Sequence, residues 1–173
     1  VFGIASIGMT FVILLGDIDL SIGTIMSFVN IICAYMMVNM GMNMVVAVLV
    51  SLVAATAIGV LNGLMVSTVG IPAIIATFAT QTAFNGLALI ICGGMPISGF
   101  PDGFEIIGQG YIGIVPIPVI IMIICFAIGS FVLNKTYFGR YFYAVGGNIE
   151  AAKLSGIRVG VVKYLVFALS GLF

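Results

Sequence analysis

Two aspartates interrupt the apolar first part of the chain, in the stretch GDIDLSIG. They are Asp17 and Asp19, and the whole chain has only five acidic residues among 173. Because a carboxylate is costly within a membrane segment and usually serves a function there, both are candidates for chemistry. Asp19 could line a substrate path and bind hydroxyl groups, or both aspartates could couple transport to an ion.

The same stretch also has a structural interpretation, and the sequence favours it. Asp19 or Ser21 would cap a helix that begins near Ile22, because a side-chain oxygen can accept the free backbone N–H groups at the positive end of the helix dipole. Gly16 and Gly23 would supply the bend. Asp17 is expected to have no basic partner and to reach water.

A second group of polar residues follows a helical spacing. Thr77, Gln81 and Asn85 recur at i, i+4 and i+8 within an apolar segment. Exposing such groups to lipid is unfavourable, so they are expected to face protein or a water-filled path. Together with Asp19 they form the candidate substrate path, although hydrogen bonding between helices is the favoured alternative.

Other chemistry is not indicated. The chain has no histidine and no GxxxxGK[ST] sequence, so the motifs for histidine-based zinc or triad catalysis and for P-loop ATP binding are missing. Its three cysteines are far apart and are expected to be inert packing residues. No catalytic residue, metal site, cofactor or nucleic-acid partner is predicted.

The composition indicates the elements that must position these residues. The chain is 63% hydrophobic and 6% charged, whereas soluble domains have roughly 25% charged residues. Apolar stretches of about 20 residues, long enough to cross a membrane as helices, predict an all-α, polytopic transmembrane helical bundle. The segments are Val1 to Leu15, Ile22 to Asn39, Asn43 to Val69, Ile71 to Cys92 and Pro116 to Leu133, with a sixth beginning near Tyr164.

The basic residues predict an orientation. All five lie between residues 134 and 163, and positive loops lie on the cytoplasmic side. Residues 134–163 are therefore expected to be cytoplasmic and residues 93–115, which include Asp102 and Glu105, to form an external loop. Val1 to Leu15 is either a full span or half of a broken helix. The chain is expected to be part of a longer subunit.

A stripe of small residues predicts close helix packing. Ser51, Ala55, Gly59, Gly63 and Ser67 recur every four residues, and small residues let membrane helices approach closely. Packing of Gly59 and Gly63 within the subunit is favoured over a subunit interface.

The basic connector contains a short helix signal, NIEAAKLSG. Asn148 suits the N-cap, Glu150 complements the helix dipole, and Ala151 and Ala152 are good helix formers. Gly156 suits the left-handed residue at the helix end.

In these motifs the sequence resembles the permease subunits of monosaccharide-type ABC importers, the group that includes the ribose, xylose and autoinducer-2 permeases. The likeness rests on GDIDLSIG, VLNGLMVSTVGIPAIIATFAT, GGMPISGFPDGF and TYFGRYFYAVGGNIEAAKLSGIRV, which occur in the family's order and cover essentially the whole chain. One departure is Asp17, which stands where the family usually has a second glycine.

The resemblance implies that residues 1–173 are part of one permease domain of about ten helices in the bacterial inner membrane. It implies a homo- or heterodimer of permeases, separate cytoplasmic ATP-binding subunits that hydrolyse ATP, and a periplasmic sugar-binding protein. Residues 134–163 would be the coupling loop that contacts the ATPase. Its candidate residues are Gly139, Arg140, Gly147, Asn148, Glu150, Ala151, Ala152 and Gly156.

Three alternatives stay open from the sequence. The first is a permease of the same kind for branched-chain amino acids or nucleosides. The second is an ion-coupled secondary transporter that uses Asp17 and Asp19. The third is a membrane scaffold without transport.

Overall fold

The computed structural model of the chain describes residues 2–101 and 103–173. Expectations that involve Val1 and Asp102 therefore lie outside the described residues. The prediction of an all-α membrane bundle is confirmed. The helices are α1 (Phe2–Leu14), α2 (Ile22–Val38), α3 (Met44–Leu64), α4 (Ala73–Cys92), α5 (Phe104–Gln109), α6 (Ile117–Lys135), α7 (Tyr137–Gly147), α8 (Ile149–Leu154) and α9 (Val159–Leu172).

Three of the described helices are long and apolar enough to cross a membrane: α3 with its continuation to Val69, α4 and α6. The continuation is a π-helical turn, Met65–Val69, which ends at Gly70 in the left-handed conformation. Residues 15–21 are not helical and separate α1 from α2. Both interpretations of the first segment, a full span or half of a broken helix, require this interruption, so the choice between them stays a prediction. At 1.5 Å per residue, the 13 residues of α1 extend about 20 Å.

The predicted small-residue stripe lies against α9, within the same chain. A Cβ on Gly59 would overlap the carbonyl oxygen of Phe167, and one on Gly63 would come 3.0 Å from the Tyr164 Cα. From the other side, Gly171 of α9 lies against the Ala55 backbone. The two helices thus run antiparallel, and at Gly59 and Gly171 the backbones are so close that a Cβ would overlap the facing carbonyl oxygen.

The connector between α6 and α9 is mostly helical. Besides the predicted helix it contains α7, which sequence did not predict, and the last helix begins at Val159 rather than near Tyr164. Lys163 therefore lies inside α9 and not in a loop. The apolar core joins these elements, with Phe11 of α1 packed edge-on against Phe142 of α7 at 5.9 Å between ring centroids.

The predicted external loop contains α5 and a small hairpin. Strand β1 (Tyr111–Ile112) pairs antiparallel with β2 (Val115–Pro116), with Tyr111 opposite Pro116. Glu105 lies in the first turn of α5 and is exposed.

Candidate functional site

The break between α1 and α2 is where the candidate residues gather. Gly16 has φ +78°, a left-handed conformation that glycine adopts without a Cβ penalty. Gly23 was expected to share this role, and that expectation is wrong. It lies in the first turn of α2 and its φ is not positive, because the chain has already entered the helix.

Asp19 is buried at the break, with 4% of its surface exposed. Its Oδ1 accepts hydrogen bonds from the Ser21 backbone N–H at 2.9 Å and from the Ser21 hydroxyl at 2.6 Å. Its Oδ2 accepts a third from the Ser170 hydroxyl of α9 at 2.9 Å. The carboxylate therefore fixes the residue that precedes α2 and ties it to α9.

Ser21 precedes α2 directly, but its side chain makes no cap hydrogen bond to that helix. Its oxygen instead accepts the Nδ2–H of Asn62 in α3 at 2.8 Å. Asn62 in turn accepts, at Oδ1, the hydroxyl of Thr80 in α4 at 2.6 Å. We call Asp19, Ser21, Asn62, Thr80 and Ser170 the Asp19 network, and every member is buried.

Thr77 lies beside this network and contacts the non-helical residues 15–21, which we call the broken segment. Its hydroxyl oxygen accepts the backbone N–H of Leu20 at 3.1 Å and donates to the Ala73 carbonyl one turn earlier at 2.8 Å. Since Leu20 is outside any helix, Thr77 supplies a partner that the broken backbone would otherwise lack.

The other two residues of the predicted polar stripe do not join the network. Gln81 is half-buried and Asn85 is exposed on the described chain. A spacing of four residues turns 40° past a full helical turn, so the stripe drifts by about 80° from Thr77 to Asn85. Thr80, three residues after Thr77, stays on the packed face instead.

Asp17 was expected to reach water without a basic partner, and the structure contradicts this. The Lys163 ammonium lies 2.9 Å from Asp17 Oδ2, and each side chain is only 17% exposed. The contact is ionic rather than a directed hydrogen bond, because Oδ2 has no hydrogen-bond partner of suitable geometry among the described residues. Sequence placed Lys163 in a loop, which is why the pairing was missed.

The short helix α8 forms the tip of the basic connector. Asn148 accepts the Ala151 backbone N–H at 3.0 Å, and Gly156 has φ +80° at the end of the helix. Ala152 is buried, whereas Leu154 is 90% exposed. The Glu150–Lys153 ion pair, at 2.7 Å, lies on the exposed side.

The remaining candidates in the connector belong to α7. Gly139 lies against the Leu133 backbone and is buried, and Arg140 is exposed and stacks over the Tyr137 ring at 4.4 Å. Gly147 is exposed at the end of α7 with open space around its Cα.

Sequence reasoning missed four residues of the site: Asn62, Thr80, Ser170 and Lys163. Each is a polar residue in an apolar helix, and that was the available signal. Asn62 directly precedes Gly63 of the small-residue stripe. Ser170 bonds Asp19 across 151 positions, a pairing that no local spacing predicts.

Comparison with known proteins places the chain in a family. Residues 1–173 match the family described as "Branched-chain amino acid transport system / permease component". The chain is 42% identical over 172 residues to the ribose import permease protein RbsC of Bacillus subtilis (strain 168), covering 98% of this chain and 53% of that protein. It is 34% identical over 168 residues to the autoinducer 2 import system permease protein LsrC of Photorhabdus luminescens, covering 96% and 50%.

The chain thus spans about half the length of these relatives. No solved structure matches it. The family match over the whole chain and the membrane helices agree with the resemblance in GDIDLSIG and in the connector. The chain belongs to the permease component family of branched-chain amino-acid-type transport systems, and the relatives named above are permeases for ribose and autoinducer 2.

Proposed function

We propose that the chain is part of a transmembrane permease subunit of an ATP-driven importer for a monosaccharide or a sugar-like molecule. The carrying observation is its identity of 34–42% to ribose and autoinducer 2 import permeases across nearly all of the chain. The protein would lie in the bacterial inner membrane. It would work with a second permease subunit, separate cytoplasmic ATP-binding subunits and a periplasmic sugar-binding protein.

The helix α8 supports the coupling part of this proposal. Its six residues are too few to be stable alone, yet Asn148 caps it and buried Ala152 holds it against the chain. Glu150 and Leu154 are left exposed, as residues that contact a partner would be. A nucleotide can shift a transporter between two conformations only if it binds more tightly in one of them than in the other. The nucleotide would bind the ATPase, and α8 would transmit the ATPase's conformational change to the membrane helices.

The polar residues divide into two roles under this proposal. Asp19 and Thr77 already bind the broken segment and α9. Gln81 is half-buried and Asn85 is exposed on the described chain, so they are the better candidates to contact a passing cargo. Replacing Gln81 or Asn85 by alanine is expected to change the apparent KM of uptake, with little change in protein level.

The test begins with the full-length subunit, solubilised gently from native membranes and purified with its neighbours for mass spectrometry. We expect a P-loop ATPase and a periplasmic sugar-binding protein to copurify. Recovery of the permease without any ATPase, combined with uptake that survives ATP depletion but stops when the ion gradient is dissipated, would overturn the proposal.

A second measurement identifies the cargo class. Radiolabelled ribose uptake is measured in competition with other pentoses, with autoinducer 2, with branched-chain amino acids and with nucleosides. Competition by sugars or autoinducer 2 supports the proposal. Competition by amino acids or nucleosides alone would assign a different cargo to the same machinery.

A further inference from the structure

The Asp17–Lys163 contact joins two elements that are far apart in sequence. Asp17 lies in the broken segment 15–21, and Lys163 lies in the second turn of α9. Each side chain is 17% exposed, and the Asp17 Oδ2 atom is inaccessible to solvent. An ion pair shielded in this way cannot lose one partner without leaving a poorly solvated charge, so separating the two elements would be costly.

The helix that carries Lys163 continues from the proposed coupling helix almost without interruption. Only residues 155–158 separate α8 from α9, and within them the Ile157 N–H donates to the Ala152 carbonyl at 3.0 Å. Ala152 itself is buried. A displacement of α8 would therefore move the start of α9 with it.

A second contact from α9 reaches the same broken segment. Ser170 bonds Asp19 at 2.9 Å and follows Lys163 by seven residues, about two turns and 10 Å along one helix face. The broken segment is thus bound to α9 at two points.

The helix before α8 also contacts the start of the break. A Cβ on Gly146 of α7 would overlap the Leu14 carbonyl oxygen at the end of α1. Both helices that flank α8 therefore contact the region where α1 ends and the broken segment begins.

We propose that the Asp17–Lys163 pair transmits movement of α8, through α9, to the broken segment, so that Asp17 and Lys163 are positioning residues of the transport cycle. This rests on the proposed function, since it assigns the movement to a bound ATPase. An apolar contact would slide when α9 moves, whereas opposite charges at 2.9 Å keep attracting each other over small displacements. Under the alternative, the pair merely neutralises an aspartate that stands at a family glycine position.

The test uses a reporter in the broken segment of the intact permease–ATPase assembly, reconstituted in nanodiscs so that both faces are accessible. Ile18 is 41% exposed between the two aspartates, and an Ile18→Cys variant is made in a background without other cysteines. Its rate of reaction with a maleimide is compared in the nucleotide-free state and after trapping with ATP and vanadate. The readout does not depend on knowing the cargo.

We expect trapping to change the labelling rate by about threefold or more when the native pair is present. Lys163→Met should reduce this nucleotide effect to less than half, because only the Ser170–Asp19 bond then joins the segment to α9, while Lys163→Arg, which keeps the charge, should retain it. The exchanged pair Asp17→Lys/Lys163→Asp should restore it, which a variant that only damages folding would not do.

The outcomes separate the two proposals. If no ATPase is present in the purified assembly, the proposed function fails and the transmission proposal fails with it. If the ATPase is present but labelling of Ile18→Cys does not respond to nucleotide, the transmission proposal alone is overturned. A nucleotide effect of undiminished size in Lys163→Met also overturns it, because the movement then reaches the break without the pair.

Discussion

The contacts of Asp19 predict opposite outcomes for two substitutions at that position. Asp19→Ala removes both acceptor oxygens and leaves three buried donors without partners: the Ser21 N–H, the Ser21 hydroxyl and the Ser170 hydroxyl. Each such loss costs about 1–3 kcal/mol, and hydroxyls can turn to a backbone carbonyl instead. The expected loss in the free energy of unfolding is therefore near the lower end of the sum, about 3 kcal/mol. This is still large beside a typical free energy of unfolding of about 5–15 kcal/mol.

Asp19→Asn should be tolerated for the same geometric reason. The amide oxygen can accept both Ser21 donors, and the amide NH₂ can donate to Ser170 once that hydroxyl has rotated to act as acceptor. Three hydrogen bonds lose their charge assistance, at about 1 kcal/mol each. Because the substitution also removes a buried charge whose desolvation costs several kcal/mol, the net change should be small.

The assay measures thermal unfolding of the full-length permease in nanodiscs together with uptake in cells. Ser27→Ala is the matched control, because the Ser27 hydroxyl is exposed and donates to the Gly23 carbonyl of its own helix. We expect Asp19→Ala to unfold at a clearly lower temperature than Ser27→Ala, and Asp19→Asn to stay close to the parent protein in both assays.

Two results would refute this reasoning. An Asp19→Asn variant that folds normally but does not import would mean that the charge itself acts on the cargo or on an ion. An Asp19→Ala variant as stable as the parent would mean that the Asp19 network does not hold the break in place.

Three further substitutions have expected outcomes. Gly59→Ala should reduce the yield of folded protein in a detergent size-exclusion assay, because its Cβ would overlap the Phe167 carbonyl oxygen. Gly86→Ala is the control and should not reduce the yield, because Gly86 has open space around its Cα. Equal yields of the two variants would contradict the close packing of α3 on α9. Gly156→Val should abolish uptake while the protein still reaches the membrane, since a branched side chain at φ +80° costs roughly 1–2 kcal/mol. Gly108→Val is the control, because Gly108 has no positive φ and open space around its Cα. Retained uptake by Gly156→Val would contradict the coupling role. Glu150→Ala should change the unfolding temperature little, because its exposed ion pair with Lys153 contributes about 0.5 kcal/mol or less to stability. The same variant should lower ATP-dependent uptake. Unchanged uptake would mean that Glu150 does not contact the ATPase.

The sequence predicted the helices well because one physical signal dominates them. Each apolar segment of about 20 residues had to become a helix, since lipid offers no partner for backbone polar groups. The predicted segment from Ile71 to Cys92 became α4, and the segment from Pro116 to Leu133 became α6, with boundaries shifted by two residues or fewer. The amphipathic helix α7 lacked this signal and was read as a loop.

The site was harder to predict because its contacts are remote in sequence. The sequence favoured a cap on α2 by Asp19 or Ser21, but α2 has no side-chain cap hydrogen bond. Asp19 instead bonds Ser21 and Ser170, and Ser21 bonds Asn62, so the partners come from other helices. The charge of Lys163 was misinterpreted for the same reason. The sequence places Lys163 in a loop, where it indicates orientation, whereas in the structure it lies in α9 and pairs with Asp17. A helical period indicates which residues share a face, yet not which helix that face will meet.

The partners of the two aspartates also bear on how transport is driven. A carboxylate that couples transport to an ion must exchange that ion with water during each cycle. Asp17 instead faces the Lys163 ammonium, and both oxygens of Asp19 already accept hydrogen bonds from buried groups. Ion exchange would require these contacts to break in each cycle, and each broken contact adds to the barrier. The geometry therefore speaks against ion coupling through either aspartate, which is consistent with the proposed energy input through α8.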